Sequence, residues 1–247
     1  MSLWLLLKSQ ASLRMTELSA IFSSFLGTEM VDLYVGQERR HFHIHKNPLC
    51  KKVPYFHAMF NSGMKESLQN QAEFPEDSPV AFESLIRWVY QDSVPQITFI
   101  RQQDVKYITE DDFLLFYKLA DKFCLFDLCD KIVDSCIDLG LLTVELMNTF
   151  CENSRAESGL RHYCCYVLHR YTRAGEGIRH QSGVHHEPLR GIQALLSKYE
   201  DMMSYFLLIM REQGNLAQPV DPSNLPRCHF HCHGSDKPCY LDGASRR

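Results

Sequence analysis

The densest grouping of chemistry-bearing side chains lies near the C-terminus, in Cys228-His229-Phe230-His231-Cys232-His233, with Cys239 following. Thiolates and imidazoles at such short spacing are the donor set of a tetrahedral zinc site. Cys228, His231, His233 and Cys239 make one mixed quartet, in which Cys232 or His229 could stand in for a member. The order is not that of a standard finger: the C-x2-H step is ordinary, the H-x-H step is tight, and five residues separate His233 from Cys239. Gly234 and Pro238 supply the turn such a loop needs. A bound zinc would order residues 226–240, because binding energy then becomes folding energy. The alternative is a flexible tail whose thiols and imidazoles are merely polar.

Other chemistry finds little support. His41, His43 and His45 alternate along one stretch, which reads as the solvated face of a strand rather than a metal site. A cysteine nucleophile needs an oriented base within reach; His45 and Cys50 are the nearest pairing, and nothing else converges on them. There is no P-loop, GxGxxG, GxSxG or HExxH motif. The expectation is a protein without catalysis and without a small-molecule substrate. Arg170, Arg173, Arg179, His180, His185, His186 and Arg190 make a modestly basic stretch, but Glu176 and Glu187 dilute it and no aromatic platform interleaves with it. With a formal net charge of -4, a solvated linker is expected there rather than a nucleic-acid footprint. No apolar run reaches the roughly 18 residues that span a bilayer, so no membrane partner is expected.

The 10 cysteines are scattered through segments that read as core helix. Buried free cysteine behaves as a small apolar residue, and such usage points to a reducing compartment, cytoplasm or nucleus. Of the 247 residues, 45% are hydrophobic, enough to fill a core.

The elements that must position these groups follow from periodicity. Residues 1–15 form an expected disordered leader, with Met15 an alternative start and a mitochondrial presequence a minor alternative. Residues 16–26 read as an amphipathic helix, capped by Thr16, with Leu18, Ile21, Phe22, Phe25 and Leu26 on one face. Val31, Leu33 and Val35 then alternate, a turn follows at 36–39, and Phe42 and Ile44 alternate inward on the way back, making a hairpin. Asn47 and Pro48 open a helical pair. Glu73-Phe74-Pro75 fits a short edge strand. Ser78-Pro79 starts a helix with the stripe Phe82, Leu85, Ile86 and Val89. Residues 92–111 are too long for a bare connector, so a strand or an exposed insertion is expected. Asp111 or Asp112 caps the next helix, another spans 127–138, and further helices fit 141–151, 158–172 and 188–212. Residues 174–187 read as a mobile loop, and the Pro-rich tail after Gly214 as extended. This is an α+β chain: a small mixed sheet packed on a helical cluster, followed by an all-helical extension.

Those residues, in that order, resemble the BTB/POZ family. The match runs from Val31-Asp32-Leu33-Tyr34-Val35-Gly36 through Phe42-His43-Ile44-His45-Lys46 and Leu49-Cys50 to Tyr55-Phe56-His57-Ala58-Met59-Phe60. It continues in Met64-Lys65-Glu66-Ser67, Phe74-Pro75-Glu76-Asp77, Phe82 to Tyr90, and Leu119-Ala120-Asp121-Lys122-Phe123. Residues 148–169 resemble the extension found after the domain in fungal-type members. One departure is Val53, where the family commonly has Ser to cap the second helix. The organisation implied is a domain over 16–138, a helical extension over 139–213 and a Cys/His tail over 214–247.

The resemblance implies a protein–protein interaction scaffold, self-associating as a homodimer through the helix bearing Leu18, Ile21, Phe22, Phe25 and Leu26. The alternative is a substrate adaptor of a cullin-type ubiquitin ligase, using a hydrophobic-x-Glu element whose nearest match is Ile108-Thr109-Glu110. A remote alternative is a transcription-associated or nucleic-acid-binding protein. Asp32 and Lys46 match positions that form a buried charged pair in animal members, with a partner-facing pocket as the other reading. No cofactor is implied beyond the candidate zinc.

Overall fold

Alternation of period two organises the first sheet. In this computed structural model the described residues are 23–97, 107–139, 142–173, 178–180, 183–185, 189–216, 218–232, 239 and 241, with backbone alone at 96–97, 107–108, 110, 139, 178–180 and 183–185. They fall into two compact units divided between Asp92 and Ser93.

In the first unit β1 (Met30–Val35) pairs antiparallel with β2 (Arg40–His45), and β3 (Gln71–Phe74) adds to β1 in parallel, giving the order β2-β1-β3. The register sets Val31 opposite Ile44, Leu33 opposite Phe42 and Ala72, and Val35 opposite Phe74. One face is therefore apolar and buried. The edge-strand expectation at Phe74 holds. The turn needs Gly36, which sits at φ +76 and whose added Cβ would meet Pro79 Cγ at 2.9 Å.

Helices cover the apolar face. They are α1 (Lys46–Lys52), α2 (Pro54–Phe60) and α4 (Pro79–Gln91), while the short α3 (Lys65–Gln69), which precedes β3, buries none of its residues. Phe74 lies 5.7 Å from Phe56 of α2 and 5.0 Å from Phe82 of α4, ring centroid to centroid. Phe56, Phe82, Leu85 and Val89 are fully buried, each contributing about 1.5–3 kcal/mol by leaving water. Ser78 Oγ accepts the Ala81 N–H at the start of α4, as expected from the Ser-Pro pair. Val53 makes no side-chain cap; its extended backbone simply breaks α1 from α2, and Pro54 opens the latter.

The second unit is helical. After the two-residue parallel pair β4 (Gln96–Ile97) and β5 (Tyr107–Ile108) come α5 (Glu110–Lys122), α6 (Phe126–Leu139), α7 (Val144–Glu152), α8 (Gly159–Arg173), α9 (Leu189–Lys198) and α10 (Glu200–Gln213). Helix α8 is buried from Gly159 to Val167 at every position but His162, and packs against α6, α7 and α10. The architecture is the expected small mixed sheet with helices, followed by a helical region.

Four expectations change in detail. Thr109, not Asp111 or Asp112, caps α5: its Oγ1 accepts the Asp112 N–H at 3.2 Å. The single helix over 188–212 is two, because Tyr199 adopts an extended conformation between α9 and α10. Residues 178–180 and 183–185 pair as an antiparallel ladder inside the stretch read as a loop (β6 and β7). The tail does not run free and extended: residues 222–224 and 227–230 form 3-10 turns packed on α6 and α8. Among the described residues no helix is long and apolar enough to cross a membrane.

Candidate functional site

Phe230 brings the tail to the helices. Its ring is fully buried and stands edge-on to Tyr163 at 5.6 Å and Tyr166 at 5.4 Å on α8, a favoured aromatic arrangement. Arg227 fixes the preceding turn to α6, donating from Nη1 to the Asp134 carbonyl at 3.0 Å and from Nη2 to Asp138 Oδ1 at 2.5 Å. On the other side, the Cys232 N–H donates to Asp130 Oδ1 at 2.7 Å.

Between these anchors, the donor atoms of Cys228, His231 and Cys239 all lie within 4.8 Å of one another. The His231 ring is fully buried. Its Nε2 faces Asp134 Oδ1 at 3.2 Å and its Nδ1 faces Cys239 Sγ at 3.3 Å. Burial opposes the charged imidazole, yet the Asp134 bond and the charges of Asp130 and Asp134 hold its pKa above the ordinary value. The remaining candidates point elsewhere. His229 Nε2 meets the Tyr166 hydroxyl at 2.8 Å, and Cys232 Sγ accepts the Gly159 N–H at 3.2 Å at the start of α8. His233 lies outside the described residues. Asp134 was not singled out in the sequence. The signal available in the sequence was the spacing of Asp130 and Asp134, four residues apart and so on one helix face, where the structure buries Asp130.

In the first unit, Asp32 and Lys46 are not joined. Met30 pairs with His45, so Lys46 falls beyond the strand end, its N–H donating to the Glu29 carbonyl at 2.9 Å and its Nζ 3.2 Å from Glu29 Oε2. Asp32 is half-exposed on the opposite face from the core. There Oδ1 lies 2.6 Å from His41 Nε2 and 2.8 Å from His43 Nδ1, and those two bonds hold its carboxyl below the ordinary range. The expected buried pair is replaced by a solvated Asp–His cluster, because the register places His43 directly opposite Asp32. His45 does not join it. Its Nδ1 lies 2.9 Å from the Tyr90 hydroxyl.

Of the amphipathic N-terminal helix, Leu18, Ile21 and Phe22 lie outside the described residues. Residues 23–26 are helical, with Phe25 and Leu26 half-buried. Asn47 Nδ2 donates to the Ser24 and Phe25 carbonyls at 3.3 and 2.8 Å, holding the end of that helix to α1. At the expected cullin-contact element, Thr109 is the helix cap, while the side chains of Ile108 and Glu110 lie outside those described. In the basic stretch, Arg170 pairs with Asp221, and Arg173 donates to the Gly214 and Leu216 carbonyls. Both are tied to the chain after α10 rather than presented as a patch.

Comparison with known proteins agrees with the fold. The BTB/POZ domain family model matches residues 21–135. Kelch-like protein 25 of Xenopus laevis is 27% identical over 114 residues, which cover 45% of this chain and 19% of that protein. The aligned stretch thus spans about a fifth of the relative's length.

Proposed function

We propose that this chain, whose residues 21–135 match the BTB/POZ domain family model, is a protein–protein interaction scaffold that self-associates as a homodimer and carries out no catalysis. A BTB/POZ domain is a protein-interaction module rather than an enzyme domain. The single observation that carries the reading is the family match over the β2-β1-β3 sheet and its helical cover. The helix ending at Leu26 is the proposed seam, since a short amphipathic helix is marginal alone in water and needs a docking surface. Fungal-type character is part of this reading, resting on residues 148–169 and the Cys/His tail. So is a cytoplasmic or nuclear location, which the ten free thiols support.

Light scattering coupled to gel filtration tests the seam. The unsubstituted chain is expected to run as a dimer at micromolar concentration, and Phe25→Asp as a folded monomer. A monomeric unsubstituted chain would overturn the homodimer.

A second reading is a cullin-type ubiquitin ligase adaptor. The hydrophobic-x-Glu element Ile108-Thr109-Glu110 at the start of α5, and the likeness to a kelch-like protein within this domain, favour it. Mixing the purified chain with a purified cullin decides the matter: co-elution supports the adaptor, and separate elution leaves the scaffold alone.

A further inference from the structure

We propose that Cys228, His231 and Cys239 are ligands of a zinc ion that ties the end of the C-terminal tail to the 3-10 turn seated on helices α6 and α8. Three independent features point the same way. The first is the donor set. Two thiols and an imidazole suit zinc over the hard cations, which prefer oxygen.

The second is distance. With Zn–S near 2.3 Å and Zn–N near 2.0 Å, the donors of a tetrahedral site lie about 3.3–3.8 Å apart. His231 Nδ1 and Cys239 Sγ are already 3.3 Å apart, and all three donors fall within 4.8 Å of one another. Drawing them onto one ion requires small side-chain adjustments. The third is the orienting partner. A metal-bound histidine usually donates its other ring N–H to a carboxylate, which fixes the tautomer. Asp134 Oδ1 stands 3.2 Å from His231 Nε2. With the proton on that nitrogen, the lone pair of Nδ1 faces Cys239.

The backbone supports the same choice among the tail's cysteines and histidines. The 3-10 turn over residues 227–230 brings Cys228 and His231 together, the His231 N–H donating to the Cys228 carbonyl at 3.3 Å. His229 and Cys232 flank His231 yet turn to Tyr166 and Gly159. They pin the turn, whereas the donor atoms of Cys228, His231 and Cys239 come together. Such an ion links Cys239 to a turn already seated on two helices, and its binding energy adds to the stability of that seat. Three protein donors leave a fourth position for solvent or another donor. The proposal is independent of the interaction reading above, since it concerns only the helical unit.

The test uses the full chain, produced with added zinc, kept reduced and desalted without chelator. Mass-spectrometric metal analysis is expected to find about one zinc per chain. Cys239→Ser and His231→Ala are expected to lower zinc affinity at least tenfold, whereas His229→Ala retains the metal. Should a variant fail to fold, cobalt substitution of the unsubstituted chain answers alone: thiolate-to-cobalt charge-transfer bands and intense tetrahedral visible bands are expected. Zinc at less than a few tenths per chain, cobalt spectra without thiolate bands, or thiol titration showing Cys228 disulfide-bonded to Cys239 would each overturn the proposal.

Discussion

Arg161→Met is expected to destabilise the helical unit by about 3–5 kcal/mol, the cost of leaving a buried ion-pair network without one partner. Arg161 is nearly buried and spends its guanidinium on three segments. Nη2 donates to the Cys151 and Ser154 carbonyls, each at 2.7 Å, Nε to Ser154 Oγ at 3.3 Å, and Nη1 to Asp201 Oδ1 at 2.8 Å. The end of α7, the start of α8 and the start of α10 thus share one cation. Methionine keeps the stem's apolar packing, so the loss isolates the polar network rather than a cavity. Lysine is no rescue, since a point charge cannot make the planar fork. Urea unfolding followed by circular dichroism measures the change. A midpoint within error of the unsubstituted chain would remove Arg161 from the list of structural determinants.

The pH dependence of the same contact has a definite sign. Burial raises the Asp201 carboxyl's pKa, but the Glu157 N–H and the Arg161 guanidinium outweigh it and leave the pKa below the ordinary value. The stabilisation is therefore complete above the unfolded value, near about 3.9, and is lost as pH falls through the lower folded value.

Elements carried by local period were legible in the sequence. The hairpin follows from Val31, Leu33 and Val35 alternating against Phe42 and Ile44, and α4 follows from the Phe82–Leu85–Val89 stripe behind Ser78-Pro79. The tail's cysteines and histidines are conspicuous in the sequence because of their short spacing. Which of them come together is not legible there. Whether a histidine faces Asp134 or Tyr166 depends on how the turn seats on two distant helices, and no local pattern carries that. The absence of an Asp32–Lys46 ion pair has a related reason: the cross-strand register sets His43 opposite Asp32 and leaves Lys46 beyond the strand end, beside Glu29. The role of Arg161 is not legible in the sequence because its partners lie at the ends of other helices. Thr109 displaced Asp111 and Asp112 as cap because α5 begins earlier than its charge pattern suggests.

Gly159→Ala is expected to reverse the usual sign of a glycine-to-alanine change. In a helix that substitution ordinarily stabilises by about 0.5–1 kcal/mol. Gly159 opens α8, and a Cβ built there would lie 1.7 Å from the Phe230 carbonyl oxygen, which no side-chain rotation relieves. The 3-10 turn must move, and Phe230 must leave Tyr163 and Tyr166. The cost is bounded below by overpacking, about 1–3 kcal/mol, and above by the loss of a buried phenylalanine, about 3–5 kcal/mol. Amide hydrogen exchange is expected to accelerate across residues 227–232, with the urea midpoint falling in step. Phe230→Ala removes the same contact from the other side, so the double variant should cost less than the sum of the singles. Strict additivity, or a Gly159→Ala protein at least as stable as the unsubstituted chain, would mean that the turn does not sit over the start of α8.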